Sequence, residues 1–135
     1  MDANKVLEAA QATLTGSMPF PEIVVSLIGN GVECYYVDYA SGLFTFYSAE
    51  GAVVQAPLSF EDLPAIAEDF DKASLRAALV DSQQHGQKFR DFSKRAVTAG
   101  VQGYFAFLRG QRVTYFGRQG DQHIEWFPGA KPSDA

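Results

Sequence analysis

Cysteine is almost absent from this chain of 135 residues, and its scarcity limits both covalent structure and chemistry. Cys34 has no second cysteine to pair with, so an internal disulfide is excluded and a reducing compartment is favoured. Histidine occurs only at His85 and His123, which leaves too few closely spaced ligands for a zinc site. We therefore expect no metal, no cofactor and a cytoplasmic location.

Long apolar runs and an excess of basic charge are also missing. The longest apolar stretches, such as residues 23–28, are far too short to cross a bilayer, and residues 1–5 do not begin a secretion signal. Lysine and arginine number 11 against 16 acidic residues, and the net charge of -5 opposes binding to a nucleic-acid backbone. Neither a membrane nor a nucleic acid is therefore expected as a partner.

Sequence motifs that are diagnostic of a particular enzymatic reaction are absent too. The glycines form neither a phosphate-binding loop nor the tight turn around a nucleophilic serine. Two acidic pairs, Glu61-Asp62 and Glu68-Asp69, lack the glycine and the ligand spacing of a calcium loop, which favours a solvated acidic segment. The hydrophobic content of 47% and charged content of 20% are those of one soluble globular domain.

What the chain does contain is a repeat. When the sequence is shifted by 69 positions, a segment of about thirty residues aligns with itself without a gap. The matched pairs are Phe20 and Phe89, Gly31 and Gly100, Val32 and Val101, Tyr35 and Tyr104, Thr45 and Thr114, Tyr47 and Phe116, and Gly51 and Gly120. Because these residue types set turns and core contacts, the pattern predicts an internally duplicated structural unit.

Each copy is predicted to run helix, helix, strand, strand, strand. Apolar residues at helical spacing predict the helices, Ser74 is the expected N-cap of the third, and Gly31 and Gly100 are expected to end the second and fourth. The predicted strands cover residues 32–39, 43–48, 52–55, 101–108, 111–117 and 122–127. The fold class is therefore α+β, a mostly antiparallel sheet with the helices packed on one face.

The predicted domain is single and covers residues 1–127. Copy one takes residues 3–55, copy two takes residues 73–127, and an acidic crossover with one short helix near residues 63–70 joins them. That crossover covers residues 56–72. Residues 128–135, which are small and polar, are predicted to form a disordered tail.

Short glycine and aromatic motifs in both halves resemble an uncharacterised family of bacterial and prophage proteins, the YbcV-like proteins often called "phage envelope protein". The motifs are Phe20-Pro21, Gly31-Val32, Tyr35, Thr45-Phe46-Tyr47, Gln83-Gln84-His85-Gly86, Phe89, Gly100-Val101 and Thr114-Tyr115. The resemblance covers residues 19–128 and implies the same doubled fold, with no established activity. Cysteines that are frequent in the second-copy helix of that family are absent from residues 91–96, so no thiol or metal role is implied.

Alternation along the predicted strands places aromatic residues on both faces of the sheet. One face carries Tyr35 and Tyr104, and the other carries Tyr36, Asp38, Phe105 and Phe107. The next strand of each copy presents Thr45 and Tyr47, matched by Thr114 and Phe116, and all eight of these side chains beyond Tyr35 and Tyr104 are candidate ligand or interface residues. If all the helices cover one face, the second exposes an aromatic patch, which meets a ligand, a protein partner or a second subunit. The alternative, that part of the helical layer, the crossover or the curvature of the sheet buries this patch, stays open at this point.

Two further candidates involve titratable side chains. His123 and Glu125 point to the same side of one strand and are suited to acid–base work, although a solvent-facing pair is the commoner arrangement. Cys34 aligns with Gly103, which favours a packing position over a nucleophile, and His85 is expected to interact with the end of its helix.

From these features we expect a non-enzymatic cytoplasmic binding module with an aromatic sheet face. The alternative is a small-molecule-binding enzyme of unknown reaction that uses His123 and Glu125 with Tyr36 or Tyr47. A homodimer that buries Tyr47 and Phe116 is the expected assembly, because a twofold interface is the common way to hide such a surface.

Overall fold

The computed structural model describes residues 1–132, in which four helices and six strands follow one another in two similar series. The first series is α1 (Ala3–Thr15), α2 (Phe20–Gly29), β1 (Val32–Asp38), β2 (Leu43–Ser48) and β3 (Val53–Pro57). The second is α3 (Lys72–His85), α4 (Phe89–Thr98), β4 (Val101–Phe107), β5 (Arg112–Gly117) and β6 (Gln122–Trp126). The strands form one antiparallel sheet in the order β3-β2-β1-β4-β5-β6, so the predicted α+β fold is confirmed.

The two series are related by a twofold arrangement at the centre of the sheet. All six strands and helices α2 and α4 have bounds that differ by the same 69 positions. The central strands β1 and β4 pair so that Tyr36 lies opposite Phe105, its own counterpart in the sequence shift. A pseudo-twofold axis therefore passes between these two residues. That a gene duplication produced this arrangement stays a prediction.

The repeat extends to the helix caps, where one prediction was wrong. Asp2 and Asp71 cap α1 and α3, each accepting a hydrogen bond from the backbone N–H three residues later, at 3.2 and 3.0 Å. Ser74, predicted as the cap, is instead the donor to Asp71, because a carboxylate accepts from both its N–H and its hydroxyl. Gly31 and Gly100 lie just beyond the ends of α2 and α4 with φ of +88° and +90°.

The crossover does not contain the predicted short helix. Residues 58–71 run without helical hydrogen bonds and pack along α4, where the N–H of Ala67 donates to the carbonyl of Val97 at 3.0 Å. Because α4 satisfies this backbone, and because a single isolated turn is costly to nucleate, an extended path is preferred. Strand β3 also runs on to Pro57, beyond the predicted end, since a proline is tolerated on an edge strand.

The hydrophobic core lies between the helices and one face of the sheet. A row of paired residues crosses that face through Phe44, Val37, Tyr104 and Tyr115, and all four are buried. Helix side chains complete the same cluster, among them Val6, Leu27, Leu75 and Val97. The helices therefore cover this face, which we call the helix-facing side.

Beyond β6 the chain continues for a short distance in the structure. Residues 128–132 begin with a turn in which the N–H of Ala130 donates to the carbonyl of Phe127 at 2.9 Å. Of the predicted disordered tail, residues 133–135 lie outside the described residues.

Within residues 1–132, no helix combines the length and apolar character needed to span a bilayer.

Candidate functional site

The side of the sheet that faces away from the helices is the candidate site, and we call it the open face. Because side chains alternate along each strand, every strand contributes three residues to it. Its central row crosses all six strands through paired residues, which are Gln55, Thr45, Tyr36, Phe105, Thr114 and Ile124. The predicted grouping of alternate residues is therefore seen in the structure, with the pseudo-twofold axis at its centre.

Aromatic rings form a continuous patch across the middle of the open face. Tyr36 and Phe105 have ring centroids 4.6 Å apart, and Phe105 stacks on Phe107 at 5.3 Å. Tyr47 approaches Phe105 at 6.3 Å, and these distances are those of favourable aromatic pairs. Phe116 lies on the same face through its pairing with Gly103. The structure thus brings the predicted aromatic residues together.

No helix of the described chain covers this patch. The hydrophobic cluster that contains the helices includes none of the open-face aromatic rings, even among the partly buried residues packed against it. Val53 and Ile124, on the two edge strands of the open face, are 53% and 44% exposed. The crossover contacts α4 on the opposite side. The aromatic residues of the open face are each half-buried, so the structure shows a partly exposed aromatic surface that no helix covers.

The polar candidates on the open face serve mainly its own architecture. Asp38 ends β1 and accepts hydrogen bonds from the backbone N–H groups of Ala40 and Ser41 at 3.0 and 3.2 Å, which stabilises the turn into β2. Thr45 and Thr114 occupy equivalent positions in the central row and are each 9% exposed. The centre of the open face therefore carries hydroxyl groups and aromatic rings but no formal charge.

His123 and Glu125 are separated from the rest of the predicted site. His123 pairs with Tyr115, a buried residue of the helix-facing side, and its ring stacks on that of Tyr115 at 6.4 Å. The predicted pair does form, since Nε2 of His123 lies 3.0 Å from Oε2 of Glu125. Because the sheet lies between this pair and Tyr36 or Tyr47, a site that combines the two groups is ruled out by the geometry.

Cys34 lies on the open face between its partners Tyr47 and Phe107. Partial burial raises the pKa of its thiol, and the nearby carboxylate of Glu33 raises it further. His123 is on the other side of the sheet and His85 is an exposed residue at the end of α3, so neither histidine can activate the thiol. These surroundings suit a half-buried packing residue.

Two hollows in the surface lie away from all ten predicted site residues. One of about 360 Å³ is bounded by Tyr39 and by crossover residues that include Leu58 and Phe60. The other, of about 400 Å³, lies between α3 and α4 beside Lys94. Neither is beside His123. Within residues 1–132, no three Asp, Glu, His or Cys side chains converge as a metal site requires.

Three residues that extend the open face were not among the site residues predicted from the sequence. Arg112 and Trp126 are paired neighbours on β5 and β6, and the guanidinium carbon of Arg112 lies 4.9 Å from the indole centroid. Gly103 leaves the space that the Tyr36 phenol occupies. The alternation of side chains along β6 places Trp126 and His123 on opposite faces of the sheet. Only the pairing of β6 with β5 shows that Trp126 lies on the open face.

Comparison with known proteins identifies the family to which this chain belongs. Residues 8–125 match the family described as "Protein of unknown function (DUF1398)". The chain belongs to this family. It is also similar to uncharacterized proteins of Mycobacterium bovis and of two strains of Mycobacterium tuberculosis. Each is 28% identical over 132 residues, which cover 94% of this chain and 80% of the relative. None of these names mentions a phage, so the resemblance to prophage proteins stays a prediction.

Proposed function

We propose that this DUF1398 protein is a non-enzymatic binding module and that the open face is the surface on which another protein docks. The observation that carries the proposal is the aromatic patch that no helix covers, in which Tyr36, Phe105 and Phe107 form one continuous row of neighbouring rings. Soluble proteins seldom expose a contiguous apolar surface of this kind unless it meets a partner.

The shape and charge of the open face favour a protein over a small molecule. Small-molecule sites are concave, whereas the two hollows described above lie elsewhere on the surface. The centre of the face is aromatic and uncharged, and its two charged residues, Asp38 and Arg112, lie away from the central row. An aromatic centre depleted of charge is the composition of the core of a protein–protein interface.

Two features bear on where and in what context such a module would act. Cys34 is a free thiol within the described chain, which supports the cytoplasm as its compartment. The resemblance to prophage-encoded proteins adds no activity to this proposal.

Catalysis by His123 and Glu125 is the second candidate, and their hydrogen bond is the observation that favours it. It ranks below binding because the His123 ring is only 9% exposed and is stacked on Tyr115. A general base must reach a bound substrate, and neither of the two hollows described above is lined by His123 or Glu125.

The proposal is tested with anilinonaphthalene sulfonate, a dye that fluoresces on apolar surfaces, and with Trp126, the single tryptophan, as the energy donor. At nanomolar protein concentration we expect dye emission sensitised by Trp126. The double variant Tyr47→Asp, Phe116→Asp should reduce that emission several-fold, because it places two charges on the face that the dye occupies.

The matched control is Val80→Asp, which places the same charge on a helix residue that is 44% exposed and on the other side of the sheet. It should leave the sensitised emission unchanged. Equal emission from the native protein and the double variant, with both folded by circular dichroism, would reject the open face as a binding surface.

A further inference from the structure

We infer that the protein that docks on the open face is a second copy of this chain, placed face to face about a twofold axis close to Tyr36 and Phe105. The inference rests on the proposed function, because it names the partner for the same surface. Three properties of the open face support a second copy: its area, its internal symmetry and its distribution of charge.

The area of the open face suits a stable homodimer. Six strands lie about 4.8 Å apart, and alternate residues on a strand lie about 6.7 Å apart, so three outward side chains on each strand cover on the order of 600 Å² in projection. The accessible area of such an uneven surface is larger than its projection. It therefore approaches the roughly 800 Å² that each partner contributes to a typical stable interface.

The pseudo-twofold axis makes the open face similar to itself after half a turn. Equivalent residues lie at equal distances on either side of the Tyr36 and Phe105 pair, as Thr45 and Thr114 do in the central row. A twofold axis in the plane between two such faces places the central rings of one copy against those of the other. Because the face occurs once in each chain, such an association closes as a dimer and does not extend into a filament.

Charge does not prevent this contact. The carboxylate of Asp38 is already bound to the turn that follows β1, and the guanidinium of Arg112 is stacked on Trp126. The main electrostatic cost is the net charge of -5 on each copy, which acts over a distance and is screened by salt. A dimer held by the aromatic face should therefore become tighter as the salt concentration rises, whereas one held by surface ion pairs should weaken.

Sedimentation equilibrium tests the assembly. We expect the native chain to be a dimer at micromolar concentration and the double variant Tyr47→Asp, Phe116→Asp to dissociate about a hundredfold more easily. The variant Val80→Asp should dimerise as the native chain does. A native chain that is monomeric at micromolar concentration, or a double variant that still dimerises, would overturn the inference.

The single thiol provides an independent measurement. Cys34 lies on the open face within about two residues of the central pair, so a second copy should shield it. Its rate of alkylation by N-ethylmaleimide should fall at least tenfold between nanomolar and micromolar protein. In the matched variant Cys34→Ala, Val80→Cys the thiol lies on α3, and its rate should not depend on concentration. A Cys34 rate that is equally independent of concentration would count against the dimer.

The two proposals fail separately. If the dye experiment identifies the open face but the native chain is monomeric, the binding module stands and its partner is a different protein. If the dye does not distinguish the native chain from the double variant and no dimer forms, both proposals are rejected.

Discussion

At the scale of single residues, Gly103 determines how the centre of the open face is packed. It pairs with Asp38 across the central strands, and the Tyr36 ring lies over it. A methyl group added at Gly103 would lie 2.7 Å from the Cζ atom of Tyr36 and 2.7 Å from the carbonyl oxygen of Val37. The ring could turn away, but the carbonyl belongs to a central strand and cannot move without disturbing the sheet.

We therefore expect Gly103→Ala to lower the free energy of unfolding by about 1–3 kcal/mol, through overpacking. The matched control is Gly29→Ala, because Gly29 is the last residue of α2 and a methyl group there would meet no atom within 4 Å outside its chain neighbours and the backbone of its own helix. That change should leave stability equal or raise it by up to about 1 kcal/mol. Urea denaturation measures both, and a Gly103→Ala variant as stable as the native chain would disprove the close packing.

At the scale of elements, the two halves differ most in what covers their second helices. The crossover packs along α4, and Asp62 on it contacts Arg90 at 2.6 Å and Lys94 at 2.8 Å. These two cations lower the pKa of the Asp62 carboxyl to about 2, with the hydrogen bond from Lys94 as the larger cause. Helix α2 is contacted at its first residue, where the ring of Phe20 lies 5.9 Å from that of Phe127, but farther along the helix Val25 and Ile28 are 71% and 52% exposed.

This asymmetry makes Ile28 and Val97 an informative pair, since they occupy equivalent positions 69 residues apart on α2 and α4. Val97 is fully buried, so Val97→Asn should lower the free energy of unfolding by about 2–4 kcal/mol, because it buries an amide and removes apolar contact. Ile28→Asn should change it by less than about 1 kcal/mol. Chemical denaturation measures the free energy of unfolding of both variants. Equal losses of that free energy would show that α2 is covered in solution.

At the scale of the whole molecule, four tyrosines are buried on the helix-facing side of the sheet, which are Tyr35, Tyr39, Tyr104 and Tyr115. The hydroxyl of Tyr39 lies 2.8 Å from that of Ser93, and desolvation raises the pKa of all four phenols above the ordinary value of 10.0. Burial disfavours the charged phenolate, which is the physical cause.

The fold should therefore be lost in alkali. Each of these phenols has a raised pKa in the folded state, so its contribution to stability is complete below pH 10 and declines as the pH rises further, where the unfolded chain releases the protons first. Tyrosinate absorbance and far-ultraviolet circular dichroism should change together above that pH. Complete ionisation of the tyrosines near pH 10 with the circular dichroism unchanged would contradict this expectation.

Local patterns in the sequence determined much of this protein. The repeat that relates Gly31 to Gly100, the six strands and the alternation of Tyr35 with Tyr36 all depend on neighbouring residues, because glycine sets the helix ends and strand geometry sets the period of two. These signals were enough to predict the α+β class and to separate Tyr36 from Tyr35 on the two faces of the sheet.

Only the tertiary structure decided which residues meet across distant parts of the chain. The pairing of β6 with β5 places His123 on the helix-facing side, away from Tyr36, and the pairing of β1 with β4 places Tyr36 against Phe105. The path of residues 58–71 along α4 likewise follows from hydrogen bonds to a helix that comes later in the chain. Strand register and backbone partners of this kind are set by contacts between distant residues, which no local pattern specifies.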